Sequence, residues 1–101
     1  MTVKNLTDKS ADLYIYGEII DNGWKWDDSE VMPDDVKNAL EQVDGVKTLN
    51  IYINSPGGSV FSGMAIYNML KRNKAKKIVH IDGVAASMAS VIALVGDEIY
   101  M

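Results

Sequence analysis

The chain has 101 residues, of which 48% are hydrophobic and 24% charged, a composition that predicts one soluble globular domain or part of one. Its net charge of -4 is unevenly divided, because residues 1–50 carry 5 basic and 11 acidic side chains and residues 51–101 carry 5 and 3. This balance argues against nucleic acid as a partner. With no cysteine and one histidine, neither a disulfide framework nor a zinc site is expected.

Nothing in the sequence indicates a targeting or membrane segment. The first ten residues lack the apolar stretch of a secretory leader, and the uncharged segment 83–96 is too short to cross a bilayer. The absence of cysteine fits a reducing compartment. We therefore expect a cytoplasmic protein with no membrane partner.

The chain opens with a predicted strand and a polar loop. Residues 12–20 alternate so that one face of the strand is aliphatic and the other carries two tyrosines. The aliphatic face consists of Leu13, Ile15 and Ile19. We interpret Trp24 and Trp26, in the loop 21–32, as a lid folded onto the core; the alternative is a substrate or subunit contact.

A helix is predicted next. Proline suits the first turn of a helix because its missing N–H costs nothing there, and the carboxylates that follow Pro33 suit the helix dipole. The helix should run to Gly45 with Val36, Leu40 and Val43 facing the core.

The second half of the chain predicts a strand–helix–strand unit, in which the two strands should be parallel. Its parts are a strand at 47–55, a glycine turn, a helix at 60–72, a basic segment at 72–77 and a strand at 78–83. We interpret the basic segment as a solvated edge. A turn and an uncharged helix should follow at 84–95, buried in the core or between subunits, and then a strand from 98.

Ser87 lies where the strand 78–83 gives way to the uncharged helix. A hydroxyl on such a turn sits among backbone N–H groups and near the positive end of a helix dipole, as an acyl-transfer nucleophile requires. Small residues also occur at strand-to-helix turns for close packing alone, so a structural serine is the alternative.

The glycine turn after the preceding strand favours the nucleophile. Pro56, Gly57 and Gly58 permit positive φ and a close backbone approach. Because consecutive parallel strands deliver their loops to the same edge of a sheet, this turn can face Ser87. The N–H groups of Gly58 and Met88 would then point into one small volume, which is the layout of an oxyanion hole.

The segments INSPGGSVFSGMAIYNML and IDGVAASMASVIALVGD resemble the ClpP-type serine peptidases. The ending DGVAASMASVIALVGDEIYM is most similar to the phage and prophage branch, the ClpP-related head maturation proteases. The resemblance covers residues 12–101 and is strongest from Ile51 onwards. It implies an α/β fold, the ClpP/crotonase-like spiral of ββα units with a mostly parallel sheet, of which residues 1–101 would be a truncated, N-terminal portion of a single domain.

The resemblance also implies roles for residues around the two turns. Ser87 would be the nucleophile of a serine endopeptidase, and the main-chain N–H groups of Gly58 and Met88 would form the oxyanion hole. The binding cleft would be lined by Ile53, Asn54, Ser55, Pro56 and Gly57. An extended substrate strand would pair with Gly58, Ser59 and Val60.

Polypeptide substrates and self-assembly follow from the same resemblance. Members of the family assemble as stacked rings around a chamber, so we expect a homo-oligomer. An ATPase, or a phage capsid or scaffold protein, is the further partner expected. No cofactor or metal is implied.

A base for Ser87 is the missing part of the site. The family's histidine and aspartate lie beyond Met101, and Ala89 stands where many ClpP proteins have glycine. We interpret His80, seven residues before Ser87 and inside the strand, as a structural histidine. A serine–lysine dyad is disfavoured because the lysines of the unit lie at its far end; they are Lys71, Lys74, Lys76 and Lys77.

Without such a base, we expect the isolated chain to have little or no peptidase activity. The first alternative is a non-catalytic ring component, structural component or fragment. The second is a crotonase-like enzyme acting on acyl-CoA thioesters, against which the SPGG and AASM pair is the peptidase form.

Overall fold

The computed structural model describes residues 1–23, 25, 27 and 29–101, so Trp24 and Trp26 and their predicted role lie outside the described residues. Within the described part the chain forms strands and helices in alternation. In chain order they are β1 (Thr2–Lys4), β2 (Ser10–Tyr16), α1 (Pro33–Gln42), β3 (Thr48–Ser55), α2 (Val60–Arg72), β4 (Lys76–Ala85), α3 (Met88–Ala93) and β5 (Glu98–Tyr100).

The strands form one sheet in the order β1-β2-β3-β4-β5. β1 runs antiparallel to β2, and every other neighbouring pair is parallel. The parallel pairing of β3 and β4 around α2 confirms the strand–helix–strand unit predicted from the sequence. Because β3 and β4 are parallel, the turns that follow them meet at the same edge of the sheet.

The helices cover one face of the sheet and enclose the core. Aliphatic side chains at odd-numbered positions of the central strands, among them Leu13, Ile51 and Val79, form a buried cluster that includes residues from all three helices. The predicted aliphatic face of β2 is confirmed for Leu13 and Ile15, which are buried; Ile19 is buried too but lies after the end of the strand. Val36 of α1 and Val43, which caps its carboxyl end, are buried as predicted, whereas Leu40 is only half-buried; the helix ends at Gln42 and not at Gly45.

The opposite face of the sheet carries a row of rings. Tyr14 stacks on Tyr52 with 4.7 Å between ring centroids, and Tyr52 stacks on His80 at 4.7 Å. The row continues to Tyr100 of β5, 5.5 Å from His80. These contacts follow from the register, which places Tyr14 beside Tyr52, Tyr52 beside His80, and His80 beside Tyr100. His80 is therefore packed between aromatic neighbours within the sheet.

Several boundaries differ from the sequence prediction. β2 begins at Ser10 and ends at Tyr16 instead of continuing to residue 20, because Gly17 has φ +109° and turns the chain. The Gly17 N–H then donates to the Asn54 carbonyl at 3.0 Å. The strand β1 was not predicted at all, since its three residues are too few for a periodic pattern.

The uncharged helix is shorter than predicted. β4 extends to Ala85, so α3 is left with six residues, of which Met88, Ala89, Ile92 and Ala93 are buried. The remaining positions are less buried, and Leu94 just after the helix is exposed. In the part of the chain that the structure describes, no helix combines the length and hydropathy needed to span a membrane.

The interpretation of segment 72–77 as a solvated edge is wrong for Lys77, which is only 6% exposed. Its ammonium donates to the carbonyl of Asn73 and, at 3.0 Å, to that of Ala75. Burial lowers the pKa of Lys77 below its ordinary value. The aliphatic stem of a lysine can be buried when its charged end finds carbonyl acceptors, and the loop after α2 provides them.

Truncation of the central strand should reveal how much the core depends on one side chain. Ile51 of β3 is 0% exposed, so Ile51→Ala is expected to lower the free energy of unfolding by about 2–5 kcal/mol. Ile99→Ala in β5 removes the same atoms from a side chain that is 43% exposed and should cost less than about 1 kcal/mol. Urea unfolding followed by far-UV circular dichroism measures both; equal losses would contradict the assignment of the core.

Candidate active site

Ser87 occupies a strained turn between β4 and α3. Its backbone has φ 53° and ψ -126°, a conformation that costs a residue other than glycine about 1–3 kcal/mol. The turn is held by short-range bonds: the Ala89 N–H donates to the Ala86 carbonyl at 3.0 Å and the Ser90 N–H to the Ser87 carbonyl at 3.0 Å. The Ser87 side chain caps no N–H of the helix and is exposed. Its hydroxyl is thus presented outward at the start of α3.

The glycine turn packs directly against Ser87. A Cβ atom placed on Gly57, whose φ is +100°, would lie 2.7 Å from the Ser87 Cβ, 2.7 Å from the Ala86 carbonyl oxygen and 3.2 Å from the Met88 nitrogen. Atoms do not approach so closely without displacement, so only glycine fits. The contact confirms that the two turns face each other across the sheet edge.

Gly58 is fixed from the other side by Ile19. The Ile19 N–H donates to the Gly57 carbonyl at 2.8 Å, and the Ser59 N–H donates to the Ile19 carbonyl at 2.9 Å. Gly58 has φ +146°, and a Cβ there would collide with the Ile19 carbonyl oxygen. Two main-chain bonds and one steric contact therefore determine the orientation of the Gly58 peptide.

The N–H groups of Gly58 and Met88 remain available. Neither has a hydrogen-bond acceptor among the residues that the structure describes. Gly58 is exposed and Met88 stands at the first position of α3, where the N–H has no partner within the helix. Because the two turns that carry these unpaired N–H groups meet at Ser87, both groups could donate to a developing oxyanion.

A bulge in β4 shapes the neighbouring part of the edge. Ile53 pairs with Ile81 but Ser55 pairs with Ala85, so β4 contains two more residues than β3 over this span. The Asn54 side chain fills the gap and accepts the Val84 N–H at 3.2 Å. The bulge shifts the end of β4 relative to β3, and the Ser87 turn that follows then lies opposite the glycine turn.

The other predicted cleft residues differ in exposure. Ile53 and Ser55 are buried, and the Ser55 hydroxyl accepts the Gly57 N–H at 3.1 Å. Because Ile53 and Ser55 are buried, they would not touch a substrate and would only support the exposed cleft residues beside them. Asn54, Pro56 and Val60 are exposed, and Ser59 is half-buried.

Within the described residues, the Ser87 hydroxyl has no hydrogen-bond partner that could act as its base. The ammonium groups nearest to the β4 start are engaged elsewhere: Lys76 pairs with Glu98 at 2.6 Å, and Lys77 with main-chain carbonyls. Asp82 accepts a hydrogen bond from the Tyr16 hydroxyl, which raises the pKa of Tyr16 to about 12. Among the residues that the structure describes, no three His, Cys, Asp or Glu side chains are grouped so that they could hold a metal ion.

The site is an exposed sheet edge and not a closed cavity. A groove of about 460 Å³ lies elsewhere, between α1 and α2, and shares no residue with the site. Its lining residues are Lys37, Leu40, Glu41, Asp44, Met69, Arg72 and Asn73.

Residues 29–100 match the family model described as Clp protease. The chain belongs to the Clp protease family. Among curated relatives, the ATP-dependent Clp protease proteolytic subunit of Bacteroides thetaiotaomicron is 44% identical over 59 residues, which cover 58% of this chain and 27% of the relative. The corresponding subunit of Ligilactobacillus salivarius is 44% identical over 72 residues, covering 64% of this chain and 36% of the relative.

Solved structures show the same fold. A mutant of ClpP1 from Listeria monocytogenes superposes with a TM-score of 0.70 at 30% identity, covering 84% of this chain and 46% of that one. The ClpP protease catalytic domain from Plasmodium falciparum gives 0.68 at 32% identity, covering 85% and 45%. The predicted α/β fold with a mostly parallel sheet is confirmed. The chain spans less than half the length of these Clp proteins.

Ile19 is the member of the site that sequence reasoning missed. The sequence indicates only that Ile19 is an aliphatic residue at the end of a strand pattern, and its side chain is indeed buried. Ile19 contributes to the Gly57–Gly58 turn through its main-chain atoms, and any residue type could make these bonds, so the sequence does not reveal them.

Substitution of two glycines separates backbone strain from collision. Gly45→Ala introduces a side chain at φ +87° with no atom within 4 Å, and should cost about 1–2 kcal/mol of unfolding free energy. Gly57→Ala meets a similar φ and also the Ser87 turn, so it should cost ~1–3 kcal/mol more. Urea unfolding gives the costs, and NMR should show Ser87 and Met88 amide shifts in Gly57→Ala alone. Equal costs with unmoved Ser87 signals would contradict the close approach.

Proposed function

We propose that the protein is a serine endopeptidase of the Clp type in which Ser87 is the nucleophile. The observation that carries the proposal is the contact of Gly57 with the Ser87 turn, because it joins the turn with the exposed hydroxyl to the turn that contains the unpaired Gly58 N–H. Membership of the Clp protease family supports peptidase chemistry over the acyl-CoA alternative.

In the proposed reaction, Ser87 Oγ attacks the carbonyl carbon of a peptide bond. The N–H groups of Gly58 and Met88 donate to the oxygen as it becomes negative, and each such donor contributes about 10²–10³-fold in rate. Collapse of the tetrahedral intermediate expels the amine and leaves an acyl-enzyme, which water hydrolyses. The proton of Ser87 passes to a histidine that the family resemblance implies beyond Met101, oriented by an aspartate, and from this histidine to the nitrogen of the leaving amine. No cofactor takes part in this scheme.

The substrate in this proposal is an extended polypeptide. The substrate strand would pair with main-chain atoms of Gly58, Ser59 and Val60, of which Gly58 and Val60 are exposed while the Ser59 N–H is already bonded to Ile19. Asn54 and Pro56 are exposed beside it and would contact side chains of the substrate. Ile53, Ser55 and Gly57 would support this cleft from beneath.

Two sources of polypeptide fit the proposal. The phage-like ending of the chain, residues 82–101, supports maturation of capsid or scaffold proteins. The curated relatives are named as subunits of ATP-dependent proteases, which supports delivery by an ATPase partner. The 101 residues would then be the amino-terminal portion of one catalytic domain.

We further propose that the protein assembles with copies of itself. Val60, Phe61 and Met64 on α2 are exposed, Phe61 by 88%, and Leu94 after α3 is exposed as well. Exposed apolar side chains of this size favour contact with another protein surface. Ile99 and Tyr100 are also exposed on β5 at the sheet edge, so the proposed contact surface comprises α2, the end of the uncharged helix and this edge.

Acylation of Ser87 tests the proposed chemistry. The chain alone should cleave a fluorogenic peptide at or near background, because its described residues place no base at Ser87. Imidazole supplied in solution as an external base should promote transfer of an acyl group from a p-nitrophenyl ester, and mass spectrometry should locate the adduct on Ser87. Ser87→Ala should abolish the adduct.

Ser90→Ala is the matched control, because Ser90 lies one turn further along and its hydroxyl donates to the Ser87 carbonyl at 2.5 Å. It should leave acylation of Ser87 in place. Adducts spread over several serines, or no Ser87 adduct at any imidazole concentration, would contradict the proposed nucleophile and favour a non-catalytic role.

Self-association has a separate test. Phe61→Asp places a charge on the exposed face of α2 and should shift the sedimentation distribution toward monomer without lowering the thermal unfolding temperature. Leu6→Asp, at another exposed aliphatic residue, is the control and should leave the distribution unchanged. A wild-type chain that sediments as a monomer at high concentration would rule out the proposed assembly of this chain.

A further inference from the structure

Asp21 makes a compact set of hydrogen bonds at the start of α2. Its Oδ1 accepts the Ser59 hydroxyl at 2.6 Å and the Ser62 hydroxyl at 2.5 Å. The Ser59 oxygen in turn accepts the Ser62 N–H at 3.3 Å, so that Ser59 is the N-cap of the helix. Three residues thus form a closed set of bonds around one carboxylate oxygen.

The hydrogen bonds from the two serines stabilise the ionised form of the Asp21 carboxylate. The Ser59 and Ser62 hydroxyls hold the pKa of Asp21 below its ordinary value, because they donate to the ionised form. Ser62 is only 5% exposed, so its hydroxyl depends on Asp21 for an acceptor. Bonds that share acceptors and donors in this way reinforce one another.

The location of these bonds matters for the proposed oxyanion hole. Asp21 follows Ile19 by two residues, and Ile19 makes the main-chain bonds that flank Gly58. Ser59 immediately follows Gly58 in sequence. Asp21 therefore joins the segment that follows Ile19 to the residue directly after Gly58, and the Gly58 peptide lies between this bond and the main-chain bonds of Ile19.

We infer that Asp21 is a positioning residue: by accepting the hydroxyls of Ser59 and Ser62, it holds the Gly58 N–H in the direction required to stabilise an oxyanion at Ser87. The inference rests on the proposed function, since the direction of this N–H has a chemical consequence only there. Asp21 itself does not contact the reacting atoms in this scheme.

Backbone NMR relaxation tests the inference directly. In the wild type, the N–H order parameter of Gly58 should be near that of rigid backbone, about 0.85, and in Asp21→Ala it should fall below about 0.6. Met88 and the amides of β3 should keep wild-type values. Asp21→Asn retains an oxygen acceptor at the same place and should restore most of the order at Gly58.

Asp12→Ala is the matched control. Asp12 also accepts two side-chain hydrogen bonds, from Asn5 at 2.8 Å and Asn50 at 3.1 Å, but it lies near the amino end of β2. Its loss should leave Gly58 unchanged. If Asp21→Ala does not fold, Ser62→Ala takes its place, because it removes one donor and adds no bulk; Gly58 should then lose order while β3 does not.

Rigid Gly58 in the substituted protein would overturn the inference, whatever the outcome of acylation at Ser87. The acylation assay supplies an independent readout: where the wild type forms the Ser87 adduct, Asp21→Ala should slow it by about 10²-fold, the effect of one lost donor, while Asp12→Ala should not. Absence of the Ser87 adduct in the wild type refutes the proposed function but leaves the order of Gly58 as a separate result.

Discussion

The close approach of Gly57 to the Ser87 turn is the constraint on which the rest of this structure depends. With 2.7 Å between a hypothetical Gly57 Cβ and the Ser87 Cβ, the two turns can meet only if one of them lacks a side chain. The contact also requires that β3 and β4 end at the same edge of the sheet. The bulge in β4 must in addition place the Ser87 turn level with the glycine turn. The sheet and its buried aliphatic face hold these strands in register.

This constraint is satisfied mainly by main-chain atoms. Gly57 and Ser59 are bonded to Ile19, Ala86 to Ser55, and Gly17 to Asn54, all through backbone groups. A site made from peptide groups has few rotatable bonds, so it is ordered before a substrate arrives, which is the condition for effective electrostatic stabilisation. It also means that the segment after β2, from Gly17 to Ile19, takes part in the geometry although it contributes no nucleophile.

Local patterns in the sequence were sufficient for most of the fold. Pro33 begins α1, the SPGG turn separates β3 from α2, and alternation identified the buried side of β2. These features succeed because each has a local physical cause: a fixed φ, a required positive φ, or a two-residue period. The contact between the glycine turn and the Ser87 turn was also predictable, since parallel strands bring their carboxyl ends together.

The failures have a common cause, which is dependence on contacts distant in sequence. β1 exists because β2 offers an edge, and Lys77 is buried because a neighbouring loop supplies carbonyl acceptors. The extension of β4 to Ala85 depends on Asn54 filling a bulge. None of these leaves a periodic or compositional signal, so none could be read from the residues themselves.

The backbone of Ser87 has a consequence for how this chain evolves. At φ 53° and ψ -126° glycine is the residue with least conformational strain, so a copy released from any chemical requirement would gain stability from a single change of Ser87 to glycine. Serine at this position is therefore opposed by selection for stability and has to be retained by something else. Whether serine or glycine occupies position 87 therefore indicates whether a given relative still uses the hydroxyl.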